Sequence, residues 1–189
     1  MLKSTARDRL LARLMSSFGE ELPPRSTSLR EIAARAGTSH ALLRYHFGSH
    51  EGVLAAMLVA QRAQDNDTLT RESATAGFAE LVERVWELYT DPGRIARVRG
   101  FFLVAGIAAQ EPEAFEDFTA SLDDLGSLLT EVARRDGASE QEAALRVTVT
   151  IAALRGLLLQ QVLTPGFHAE PALRLVLQLG SPPSQHLTQ

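Results

Sequence analysis

Apolar residues recur at three- and four-residue intervals along most of the chain, and no stretch alternates regularly enough to predict a strand. Leu11, Met15, Phe18 and Leu22 predict one face of a first helix, with Pro23-Pro24 as its end. Ser28-Leu29-Arg30-Glu31 has the form of a capping box, and Leu29, Ile32, Ala33 and Ala36 follow at helical spacing. Gly37 closes that second helix. Ser39 is placed to cap a short third one, and Gly48-Ser49 separates it from a fourth that starts at Glu51 and runs through Leu54, Met57 and Leu58.

Further on, Phe78, Leu81, Val82, Val85 and Trp86 mark an amphipathic stripe broken by Asp91-Pro92-Gly93. Residues 95–109 are nearly all apolar apart from Arg97 and Arg99, which predicts a buried central helix. Pro112 suits the first turn of a helix running to about Arg135. Ser139 and Glu142 form another capping box, opening a long helix through Leu163, and a last helix covers about Pro171–Leu179. The fold class expected is all-α: a three-helix helix-turn-helix over residues 1–50, a helical body over 51–180, and a Pro/Ser/Gln-rich tail over 181–189 expected to be flexible.

Composition narrows the chemistry. The 189 residues are 45% hydrophobic and 22% charged, which suits a globular chain with a real core. No cysteine is present, so disulfides, thiolate catalysis and Cys-ligated zinc are excluded. No run of eighteen apolar residues occurs, and Arg7, Arg9 and Arg13 interrupt any signal-peptide core, so a cytoplasmic protein is expected. The net charge of −4 hides an asymmetry: residues 1–50 carry eight Lys/Arg against four acids, and the remainder eleven against nineteen. A basic head on an acidic body points to nucleic acid as the partner of the head.

Residues 28–47 hold the candidate chemistry. A helix-turn-helix needs a small residue where its helices pass closest, a turn residue that tolerates positive φ, and apolar residues behind the second helix. Ala33, Gly37, and Leu43 with Phe47 meet those needs in order. Any αα-corner of a helical protein uses similar residues, so spacing by itself leaves both readings open.

The segment from Thr27 to Ser39, reading TSLREIAARAGTS, with Leu43-Arg44-Tyr45-His46-Phe47 and Glu51-Gly52-Val53-Leu54, resembles the DNA-binding domain of the TetR family over about residues 5–58. Beyond it the chain resembles the family in length and helicity alone. The resemblance implies a homodimeric transcriptional regulator, usually a repressor, whose body binds a small molecule that releases the operator. It also implies that Arg30 occupies a position able to contact bases. With Leu43 and Phe47 inward, Ala41, Arg44 and Tyr45 point outward on the third helix, and His40 reaches the groove from its first turn. The Arg44 fork fits guanine O6/N7, His40 can bond a base edge, and Ala41 can touch a thymine methyl. Ser28, Ser39, Tyr45, His46 and His50 are the expected phosphate contacts, with packing against the fourth helix as the equal alternative for His46. Thr38 stands where an apolar β-branched residue is usual, Arg44 where Tyr is usual and His50 where Lys is usual, so operator preference does not transfer from relatives.

In the body, Trp86, Tyr89, Phe101, Phe102, Phe115 and Phe118 are either plain core or the wall of a ligand cavity. Arg97 and Arg99 are odd in an apolar helix, because unpaired buried charge is costly. One of them is expected to face a pocket or to pair with Glu83 or Glu87, which makes both candidates to hold a ligand's polar group. The ligand candidates are thus Trp86, Tyr89, Arg97, Arg99, Phe102, Phe115 and Phe118. Val149, Ala152, Ala153, Leu157, Leu158 and Leu159, with Leu173, Val176 and Leu177, predict a dimer interface along the last two helices.

Rival readings are an enzyme, a pure protein-interaction module, and a constitutive DNA binder without ligand control. His46 and His50, with Glu51 adjacent, are spaced to share a metal, but Gly48-Ser49 breaks the helix that such spacing requires. No phosphate loop or nucleophile elbow is present. The expectation is a non-enzyme without metal or cofactor, whose partners are operator DNA, a small organic effector and a second copy of itself.

Overall fold

The computed structural model describes residues 5–19 and 21–180, so the tail expected over 181–189 lies outside the described residues. All regular structure among the described residues is helical. The helices are α1 (Ala6–Phe18), α2 (Leu29–Arg35), α3 (His40–Phe47), α4 (His50–Ser73), α5 (Phe78–Thr90), α6 (Ile95–Ala108), α7 (Glu116–Ala120), α8 (Asp123–Arg135), α9 (Glu140–Leu163) and α10 (Glu170–Gly180). Short 3-10 turns at Pro92–Arg94 and Pro112–Phe115 precede α6 and α7. Contacts divide the chain into two compact units that do not follow chain order: residues up to Asp65 join Pro92–Leu122, and Asn66–Asp91 joins the chain from Asp123 onward.

Local side chains fix the helix ends of the first unit. Thr5 with Asp8 and Ser28 with Glu31 form reciprocal capping boxes, and Ser39 Oγ accepts the Leu42 N–H at 3.1 Å. The first helix departs from its predicted limits. It stops at Gly19, whose φ of 61° ends the ladder before Leu22, and its buried face is Leu10, Leu14 and Phe18. Leu11 and Met15 pack at the edge of that core, and Leu22 is buried as part of the loop. The loop packs Leu22 onto Gly100 of α6, where a Cβ would stand 2.4 Å from Leu22 Cδ1 and push that side chain aside. Around these contacts Leu14, Ile32, Leu43, Val53, Met57, Val104 and Phe118 close the core of the unit.

Two further expectations change. The helix predicted from Pro112 to Arg135 is three pieces, because the chain turns at Ser121-Leu122. There Ser121 Oγ donates to Phe118 O, and Ser121 O accepts from Arg62 Nη2 at 3.1 Å. Helix α6 is not buried throughout. Arg97, Val98, Gly100, Val104 and Ala108 are covered, Arg99 and Gly106 are exposed, and Phe101, Phe102 and Leu103 are half-buried.

The second unit packs α5, α8, α9 and α10 around Phe78, Leu81, Val85, Leu129, Val132 and Leu154. Asp136 Oδ2 accepts the Phe78 N–H at 2.7 Å, capping α5 where Gly77 offers no side chain. Arg135 donates to the carbonyls of Ser73 and Ala76, tying the end of α4 to the end of α8. Leu173 and Val176, expected at an interface, lie in the unit's own core instead. Leu145, Val149, Leu159 and Leu163 on α9 and Leu175 on α10 stay exposed. No described helix is long and apolar enough to cross a membrane.

Candidate nucleic-acid interface

The α2–turn–α3 segment is built on three close contacts. Ala33 is buried where the helices meet, and its carbonyl accepts the Thr38 N–H at 2.9 Å. Gly37 takes a φ of 61°, the left-handed region a side chain would resist. Leu43 and Phe47 then anchor the inner face of α3, and Arg7 lies over the Phe47 ring at 5.5 Å.

The opposite face of α3 is open. Ala41, Leu42, Arg44 and Tyr45 are exposed, Tyr45 at 82% of its surface, and Arg30 is exposed at the start of α2. His40 is half-buried on the first turn of α3. These side chains offer two donor forks, one imidazole, two small or aliphatic groups and one phenol, which is the chemistry that meets base edges, thymine methyls and phosphates.

Other candidates have duties inside the protein. The Ser28 hydroxyl donates to Glu31 Oε2 at 2.7 Å while accepting the Glu31 N–H, so both of its functions are engaged. Ser39 uses an acceptor lone pair in its cap, which leaves its O–H able to donate. His50 opens α4 with Nε2 3.3 Å from Pro24 O and with Nδ1 buried without a partner. His46 stacks edge-on with Tyr45 at 4.9 Å between centroids and lines a cavity of about 370 Å3 with Arg7, Phe47, Val59, Phe115 and Phe118. Arg13 reaches Gly37 O at 3.5 Å, and Arg35 bonds Ser17 O at 3.1 Å over the Phe18 ring. Arg13 thus buttresses the turn and Arg35 ties α2 to the end of α1, while Arg25, Arg30 and Arg44 are exposed. The carboxyl of Glu31 is held below its ordinary range, first by the Ser28 hydroxyl and then by the Ser28 N–H.

Leu42 was not anticipated on this face. It is 41% exposed, and a leucine beside the inward Leu43 reads by default as core, so only its position around the helix reveals it. Arg25 is likewise exposed in the loop before α2, with no pattern around it to mark it.

The ligand candidates are divided. Phe115 and Phe118 line the cavity behind α3, Phe102 is half-buried on α6, and Trp86 and Tyr89 belong to the other unit. For Arg97, expected to pair with Glu83 or Glu87 or to hold a ligand's polar group, the structure gives a carboxylate partner on α4. Arg97 Nη2 bonds Asp65 Oδ2 at 2.5 Å, and Arg94 Nη1 bonds Asp65 Oδ1 at 2.7 Å. Arg99 faces solvent, and Glu87 pairs with Arg84 at 3.2 Å on its own helix. A buried arginine that sequence reasoning missed is Arg62 on α4, whose guanidinium lies over Phe101 at 5.7 Å. Among the described residues no three His, Asp or Glu side chains are placed to hold a metal ion.

Residues 20–57 match the family model of bacterial regulatory proteins of the tetR family. No curated protein matches the chain. Among solved structures, the fold is shared with a protein of Mesorhizobium loti MAFF303099 assigned to the TetR family of transcriptional regulators. That likeness has 17% identity, covers 95% of this chain and 96% of that one, and has a TM-score of 0.62. A protein of Rhodococcus sp. RHA1 assigned as a transcriptional regulator gives 22% identity, 95% and 97% coverage, and a TM-score of 0.67. The fatty acid degradation regulator FadR of Bacillus halodurans gives 14% identity, 99% and 100% coverage, and 0.60. Residues 20–57 thus match the N-terminal domain of the tetR family of bacterial regulatory proteins, and the described chain shares its all-helical fold with these solved structures.

Proposed function

We propose that the protein is a homodimeric repressor that holds a near-palindromic operator through two copies of α3 and leaves it when a small organic effector binds. The observation that carries the reading head is the division of α3, with Leu43 and Phe47 buried and Ala41, Leu42, Arg44 and Tyr45 exposed on a helix preceded by a tight glycine turn. Such a helix enters the major groove with its outer face toward the bases, and Tyr45 and the Ser39 hydroxyl fix its register on phosphates.

Dimerisation is supported by Leu145, Val149, Leu159 and Leu163, which recur along one side of α9, with Leu175 exposed on α10. A stripe of this kind is unfavourable in water and suits a self-complementary two-fold contact. Two heads related by that axis require half-sites a helical turn or more apart. The role belongs to the cytoplasm, where the operator is, and calls for no catalysis.

The test is selection of genomic fragments by the purified protein, followed by gel shift. The expected outcome is one inverted-repeat sequence bound with two protomers per site. Equal binding to all fragments, or a monomer at micromolar concentration, counts against the proposal.

A further inference from the structure

Arg62 is 8% exposed, and its guanidinium meets a carbonyl and a ring: Nη2 donates to Ser121 O at 3.1 Å, and the plane lies over Phe101. Its Nε is buried with no hydrogen-bond partner. The nearest carboxylate along α4 is Asp65, one turn on, but Oδ1 and Oδ2 of Asp65 are taken by Arg94 and Arg97. A guanidinium withdrawn from water without a carboxylate is costly, and a buried N–H left without an acceptor adds to that cost. Phe101, under that guanidinium, meets Phe102 at 5.3 Å between centroids, and both rings are half-buried, so an apolar surface adjoins the guanidinium.

We infer that Arg62 anchors the anionic head of the effector, which is an amphipathic organic acid whose carboxylate takes the Nε–H and whose apolar body lies on the α6 aromatics. The inference rests on the ligand-release reading and names the ligand's class. It moves the anchoring role from Arg97, engaged with Asp65, and from Arg99, which faces solvent, to a residue of α4. Because α4 begins directly after the reading helix, an acid held at Arg62 pulls on the element that follows the head.

The experiment uses the full chain and paired probes of equal shape: octanoate with octanol, and benzoate with benzyl alcohol. Binding is followed by thermal shift and calorimetry. The acids are expected to bind and raise the melting temperature, with each alcohol weaker by roughly ten- to a hundredfold, the scale of a charge-assisted hydrogen bond. Arg62→Gln removes the acid preference while leaving the alcohol unchanged. Arg62→Lys, which keeps the charge, retains part of the preference and guards against a folding failure of the first variant. Acids and alcohols binding alike, no binding of either acid at millimolar concentration, or full preference in a folded Arg62→Gln overturns the inference. Operator gel shift separates this from the parent reading: an operator that is bound but released only by uncharged compounds sinks the organic acid alone. A protein that selects no operator sinks the regulator.

Discussion

The reading head and the interior of α4 and α6 are stabilised in opposite ways. In the head, the N-caps of α2 and α3 are closed by side chains three residues away, Ser28 with Glu31 and Ser39 with the Leu42 N–H, and Gly37 and Gly48 end the same helices. In the interior, Asp65 meets Arg94 and Arg97 from 29 and 32 residues away, and Arg62 meets Ser121 from 59. Short-range caps contribute small, separable increments. Charges paired across a buried interior are individually expensive to break, because each broken pair leaves an ion without water.

The largest test of that contrast is Asp65→Asn, which leaves Arg97 buried without its counter-charge. A loss of about 3–5 kcal/mol is expected in urea unfolding. Asp65→Leu combined with Arg97→Met should recover part of it, since the buried Arg97 charge is gone with its partner, while Arg94 still loses its bond to Asp65. A single-variant loss no larger than that of a surface change breaks the contrast.

A smaller effect is expected at the reading face. Arg44→Ala should weaken operator binding by roughly 1–3 kcal/mol and relax preference at one position of each half-site. Tyr45→Phe should weaken all sequences about equally, because a phosphate contact carries no base information. Selection experiments with both variants separate the two roles, and an unchanged preference in Arg44→Ala removes that residue from base reading.

Next comes the α2 cap. Ser28→Ala should cost about 1 kcal/mol of stability. The folded-state carboxyl of Glu31 lies below its ordinary range, so its contribution is complete above the usual carboxylate pKa and is lost as pH falls through the lowered value. Glu31→Gln should flatten that acid limb in a pH series of thermal melts. A limb as steep as the parent's assigns the acid sensitivity elsewhere, with Asp8 and Glu142, held low by their own capping boxes, as the next groups to replace.

The smallest expected effect is at Arg7 and Asp117, bonded at 3.1 Å with side chains 40% and 75% exposed. A double-mutant cycle should give under about 1 kcal/mol and vanish in high salt. A salt-resistant loss in Arg7→Ala that shows no coupling to Asp117 assigns the role of Arg7 to its cation–π contact with Phe47 instead.

Local chemistry determined the head. Capping boxes, a glycine able to take positive φ, and the four-residue interval between Leu43 and Phe47 act within one or two turns, so Ser28–Phe47 was legible as two short helices and a tight turn. The same holds for the capping box that opens α9. What the chain brings together from a distance was not legible. Helix α1 ends at Gly19, which leaves Leu22 in a loop packed against Gly100, and the helix expected through Arg135 breaks where Ser121 gives its carbonyl to Arg62. Arg97 meets Asp65 from 32 residues away, and Leu173 and Val176 went to the core while Leu145 and Leu163 stayed outside. Periodicity reports which residues share a helix face. Which face meets which, and which buried charge finds a counter-charge, follows from contacts between segments far apart in sequence, and only the tertiary structure decides those.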